Sequence, residues 1–275
     1  MKRAAFSSWP ALAVVSIVLL FIILFVLTAD RTHTYPIEVR QKAQLHSMEA
    51  ATELFANEWD SYPPSDANDP TGKPYCGAMT LTEALMGRDL LGFHRESVFR
   101  RDGLDPNTLE PLYPASPSHG NLRARMGPYL MAESANAWQL ADIYGKGNTG
   151  PFPENTYVLC DVFERKRPSG ARAGMPILYY RANALGKMHQ AGDPNNIYNC
   201  MDNRALVALG VPGKPRKTHP LIDPKRFYLN TQDPRNMPSP QPYRSDSYIL
   251  ISAGEDGLYG TPDDICSFGW KYRQQ

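Results

Sequence analysis

Ser247-Tyr-Ile-Leu-Ile-Ser252 runs directly into Ala253-Gly-Glu-Asp256-Gly257-Leu-Tyr-Gly260-Thr-Pro-Asp263-Asp264-Ile265, and these residues govern the reading of the chain. The first six are β-branched or aromatic at most positions and bounded by turn formers, the mark of a strand. The next segment crowds Glu255, Asp256, Asp263 and Asp264 among glycines that take positive-φ turns other residues resist. Carboxylate oxygens placed in this way suit a hard cation such as Ca²⁺. An EF-hand is excluded, because its first and third positions would be Ser252 and Gly254 and the flanks are strand-like rather than helical. A glycine turn with solvated acids is the other reading of the same residues.

Working outward, Thr156–Phe163 and Pro176–Ala182 also read as strands, and Ile265–Trp270 adds a short one. Upstream, Ile37, Leu45, Met48, Ala51, Leu54, Phe55 and Trp59 mostly recur at three or four residues, which predicts an amphipathic helix closed by Tyr62-Pro63-Pro64. A second helix is expected from Leu81 to about Leu91, with Thr80 and Glu83 at capping-box spacing. A third is expected over Leu130–Tyr144, and a short one near Asp202–Leu209. Residues 95–128 and 183–241 are polar and rich in turn formers, and read as irregular insertions. Helices first and a small antiparallel sheet last make an α+β head.

Ala4 to Ala29 carries no charge and contains Ala11–Leu27, ALAVVSIVLLFIILFVL. A bilayer-spanning helix needs roughly 20 such residues. A cleaved signal peptide is the competing reading, but its apolar region is usually shorter, and cleavage after Ala29 would put Leu27 where a small residue is wanted. The expected organisation is therefore a membrane anchor over 1–30 with Lys2 and Arg3 on the cytoplasmic side, an amphipathic helix over 31–62, and a head over 63–275 outside the cytoplasm.

The 275 residues hold 29 Lys and Arg against 28 Asp and Glu, so no global field recruits nucleic acid. The short basic runs Arg165–Arg167 and Lys214–Lys217 read as solvated loop. Pro at 25 and Gly at 20 argue for turn-rich structure. Gly145-Lys-Gly147-Asn-Thr-Gly150 formally satisfies G-x-G-x-x-G but runs into Pro151-Phe-Pro153, so no helix follows to hold a nucleotide phosphate. The six histidines lack metal-ligand spacing and no nucleophile elbow is present, so the sequence does not argue for an enzyme. Cys76, Cys160, Cys200 and Cys266 have no C-x-x-C pair. Outside the cytoplasm they would form one or two disulfides, with three pairings open; buried thiols are the alternative.

Several of these segments resemble the major pseudopilin of type II secretion. The C-terminal match comprises Ser252, Gly254, Asp256-Gly257, Gly260, Asp263-Asp264, Ile265 and Trp270; Gly174–Tyr180 resembles the strand before that loop, and 51–64 the end of the first pilin helix. Lys2-Arg3-Ala4-Ala5-Phe6 resembles a prepilin leader, with Ala5 in place of the family's Gly and Pro10 in place of its Glu. The resemblance covers well under half of the chain. It implies a non-enzymatic, single-pass inner-membrane assembly subunit, in contact with membrane lipid and with other pseudopilins or secretion-system subunits. It also implies structural calcium held by Asp256 and by Asp263 or Asp264, with Ser252 as a further ligand. The alternative is an anchored extracytoplasmic enzyme or ligand-binding protein that uses the middle insertion.

Overall fold

A computed structural model describes residues 35–214, 216–235 and 241–269. The chain divides into compact units over 1–40 and 41–275; α1 begins in the first, and the rest of the architecture below belongs to the second. Helix α1 spans 35–59 and ends where Asp60 enters the left-handed region at φ 54°. There follow α2 (Gly77–Met86), β1 (Phe93–His94), α3 (His119–Arg123), β2 (Arg125–Met126), α4 (Ala132–Ala135), β3 (Ala137–Gln139), α5 (Leu140–Tyr144) and β4 (Tyr157–Leu159). After them come β5 (Arg165–Lys166), β6 (Arg172–Ala173), β7 (Leu178–Arg181), α6 (Arg204–Val207), α7 (Pro224–Thr231), β8 (Gln232–Asp233), β9 (Gln241–Pro242), β10 (Tyr248–Ser252) and β11 (Ile265–Cys266).

The central sheet is antiparallel in the order β11-β10-β7. Its register pairs Ile251 with Cys266 on one side of β10 and with Leu178 on the other. Alternate residues of β7 and β10 feed two separate cores. Tyr179, Tyr248 and Leu250 join Leu45, Met48, Ala51 and Phe55 of α1, whereas Leu178, Tyr180, Ile249 and Ile251 join Phe227 and Tyr228 of α7 and Leu206 of α6. Burial on both faces explains why this strand reads as an unbroken apolar run rather than an alternating one. Polar groups fix α1 over the head. Gln44 donates through Nε2 to the carbonyls of Ser134 and Cys160, at 3.1 and 2.9 Å, and Gln41 accepts the Val162 N–H at 2.8 Å. Glu49 pairs with Arg244.

The expected fold, an N-terminal transmembrane helix continuing into an amphipathic helix on a small antiparallel sheet, is corrected in its first part. Among the described residues no helix is long and apolar enough to cross a membrane. The longest, α1, buries one stripe and exposes charged residues such as Arg40 and Lys42 on the rest of its surface. The uncharged run Ala4–Ala29 lies outside the described residues.

Further corrections are local. The helix expected over Leu81–Leu91 is α2, which begins four residues earlier and stops at Gly87, φ 77°. Thr80 and Glu83 do not cap it. Asn203, far along the chain, accepts the Ala78 N–H through Oδ1 at 2.9 Å, and Glu83 points into the interior. The helix expected over Leu130–Tyr144 is split by β3, because Asn136 adopts φ 43° and turns the chain into a ribbon with β4. The insertion at 183–241 contains α7, opened by Asp223, whose carboxylate accepts the Lys225 N–H at 3.0 Å, and by Pro224 in the first turn.

Candidate functional site

The acidic segment forms the 253–264 connection between β10 and β11. Gly254 has φ 64°, and a Cβ there would lie 2.2 Å from the Asp263 carbonyl oxygen, so only glycine lets the two arms of the loop close. The Asp263 carboxylate then crosses the loop and accepts the Asp256 N–H at 2.7 Å. Asp256 accepts from Leu258 N–H and Asp264 from Gly260 N–H, each at 2.7 Å.

All three carboxylates meet at one atom. The Thr261 hydroxyl lies 2.7 Å from Asp263 Oδ1, 3.2 Å from Asp264 Oδ1 and 3.4 Å from Asp256 Oδ1, with the Leu258 carbonyl at 3.0 Å. A hydroxyl has one proton to give. Four acceptors therefore surround one hydroxyl hydrogen, and two of them, Asp256 Oδ1 and Asp264 Oδ1, also accept the N–H groups of Leu258 and Thr261. Burial, reinforced by the neighbouring Asp263 charge, pushes the Asp264 carboxyl well above the usual carboxylate range and raises that of Asp256. Clustered carboxylate and carbonyl oxygens are hard donors of the kind a calcium ion takes. Among the described residues, however, no group of three or more His, Cys, Asp or Glu side chains is already arranged as a metal cage.

Of the four residues singled out from the sequence, Asp256, Asp263 and Asp264 are thus brought together. Ser252 is engaged elsewhere: its hydroxyl donates to Asp161 Oδ2 at 3.1 Å and accepts the Gly254 N–H. Trp270 lies outside the described residues. Asp161, which sequence reasoning did not single out, anchors the base of the loop. It is completely buried and accepts the N–H groups of Met175 and Phe163, and burial raises its pKa to about 7. Its only sequence signal was an acid inside the strand-like run Thr156–Phe163.

The outer arm is docked as firmly. Tyr259 is buried, donates its hydroxyl to the Pro176 carbonyl and gives its N–H to His219 Nδ1 at 3.2 Å. Its own carbonyl accepts Leu221 N–H at 3.0 Å. Burial keeps His219 neutral, with a pKa lowered to about 4.

The four cysteines are free thiols, so the disulfides expected for an extracytoplasmic head are absent here. Cys76 and Cys160 are buried, and desolvation pushes the Cys76 thiol up to about 12. The glycine segment 145–150 is followed by turn rather than helix, and the Gly147 N–H is taken by Glu154 at 2.7 Å. Comparison with protein families, with curated proteins and with solved structures finds no match to this chain.

Proposed function

We propose that this protein is a pseudopilin-like structural subunit of a type II secretion or type IV pilus-like assembly, with a C-terminal loop stabilised by calcium. The observation that carries the reading is the convergence of Asp256, Asp263 and Asp264 on the single Thr261 hydroxyl, in the connection that closes the central sheet. Asp256, Asp263 and Asp264 would hold the ion, which would neutralise the acceptors crowded there and stiffen the loop. Support also comes from the long helix laid by its apolar stripe on a three-stranded antiparallel sheet, the arrangement the sequence resemblance implies. The head would work outside the cytoplasm, by packing against other subunits rather than by turnover.

Deletion of the gene in its native host tests the assembly role. Export through the host's secretion apparatus should fall while synthesis of the exported proteins is unchanged, and the wild-type gene should restore it. Undiminished export in the deletion strain would refute the role.

A further inference from the structure

Ser65 and Asp66, the end of β7 and the segment 193–202 bound a second, unrelated feature, a cavity of about 500 Å³, within the size range of small-molecule sites. Asp202 lines it, on a residue only 5 % exposed. The Ser65 hydroxyl accepts the Arg181 N–H at 2.9 Å and gives its single proton to Asp202 Oδ2 at 2.6 Å. Asp202 Oδ1 accepts no hydrogen bond among the described residues. It is not sealed either: unlike the orphaned buried atoms elsewhere in the head, it keeps surface open to the cavity. A buried carboxyl with one oxygen fixed and the other unanswered is costly, so the open oxygen is a binding group whose partner is not in the chain.

The charges around this cavity do not cancel. Asp66 and Asp193 line it with Asp202, and the only cation among the described lining residues is Arg181. Asp66 makes no ion pair or hydrogen bond among the described residues, and Asp193 accepts only the Asn195 N–H at 2.7 Å and Gln190 Nε2 at 3.4 Å. Burial, and after it the charge of Asp66, push the Asp202 carboxyl up to about 8 against the pull of the Ser65 bond. Three carboxyl groups against one guanidinium favour a cation. Among the described residues no three acids are arranged to hold a metal ion, so the fit is to an organic cation. An ammonium carries three N–H donors, and its charge would ionise Asp202 and so turn Oδ1 into a full acceptor.

We propose that this cavity binds the primary ammonium group of a small organic cation, with Asp202 Oδ1 as its buried acceptor and Asp66 and Asp193 supplying the surrounding charge. The proposal rests neither on the assembly role nor on calcium. Its test is saturation-transfer NMR on the purified full chain with butylamine and putrescine at millimolar concentration, and with butanol and butyrate as neutral and anionic comparators. At least one amine should bind, and neither comparator should. Cys76, Cys200, Tyr180 and Tyr228 also face Asp202, and burial raises all four, so Asp202 is the group that ionises between about pH 7 and 9. Amine affinity should therefore rise about tenfold over that interval, as the ionised fraction of Asp202 does. Asp202→Asn, which keeps an acceptor for Ser65, should weaken binding at least about tenfold at the upper pH and remove the pH dependence. Asp66→Asn should weaken it several-fold, and Glu133→Gln, an exposed position that does not line the cavity, should leave it unchanged. Absence of binding by both amines, equal binding of butanol, a wild-type affinity that does not rise with pH, or binding indifferent to Asp202→Asn would each overturn the proposal.

Discussion

Burial sets the charge state of single residues here, and with it the pH at which the protein is most stable. Asp161 and Asp202 have folded-state pKa values raised to about 7 and about 8 by desolvation. Each remains protonated when folded and ionises when unfolded, so its contribution is complete below the ordinary carboxylate range and is lost as pH rises towards 7 or 8. His189 and His219, lowered to about 4, work oppositely: they favour the fold above the ordinary histidine range and lose that contribution as pH falls through 4. The two pairs oppose each other between about pH 4 and 6.5, and only the aspartates act above that. Stability measured by urea unfolding should therefore fall with rising pH, on the order of 2 kcal/mol between about pH 6.5 and 8 from Asp161 and Asp202, with Asp264 and Asp256, also raised by burial, adding to the loss. Asp202→Asn keeps an acceptor for the Ser65 hydroxyl and should flatten the upper part of that profile. An unchanged slope in this variant would show that Asp202 is not the group responsible.

Elements differ in how far local sequence specified them. The α1 stripe was legible because Leu45, Met48, Ala51 and Phe55 recur at helical spacing and are buried as that spacing requires. Met48 is fully buried, and Met48→Ala should cost about 2–5 kcal/mol in chemical unfolding. Leu54, 56 % exposed on the other side, should tolerate alanine within about 0.5 kcal/mol. Strands β7 and β10 were equally legible from their β-branched and aromatic runs. The start of α2 was not, because its N-terminal N–H is satisfied by Asn203 from a distant segment and no nearby residue announces it. Asn203 also donates to the Tyr179 carbonyl at 2.7 Å, so it joins the helix to β7. Asn203→Ala leaves both groups buried without partners and should destabilise by about 2–4 kcal/mol, more than an ordinary cap loss. A loss below about 1 kcal/mol would mean that water or a backbone shift replaces both bonds.

At the scale of the whole molecule, a sheet buried on both faces carries the acidic loop on its closing hairpin. Anything that loosens the loop therefore acts on the register of β10 and β11 and on both cores beneath them. The convergence of Asp256, Asp263 and Asp264 was readable from the crowded acids and glycines. The diversion of Ser252 to Asp161 was not, since it depends on a partner ninety-one positions away. The membrane-spanning helix expected within the fold has no counterpart among the described residues.

The most direct test of the proposed calcium site is the melting temperature of the purified protein in calcium and in chelator. Binding to the folded state alone adds about 2.7 kcal/mol when calcium stands roughly a hundredfold above its Kd. The wild-type protein should accordingly melt several degrees higher in calcium. Asp263→Asn should abolish the difference, and Asp246→Asn, at an exposed position outside the loop, should preserve it. Equal melting temperatures for the wild type in calcium and in chelator would contradict the account and leave the loop a glycine turn closed by its own hydrogen bonds.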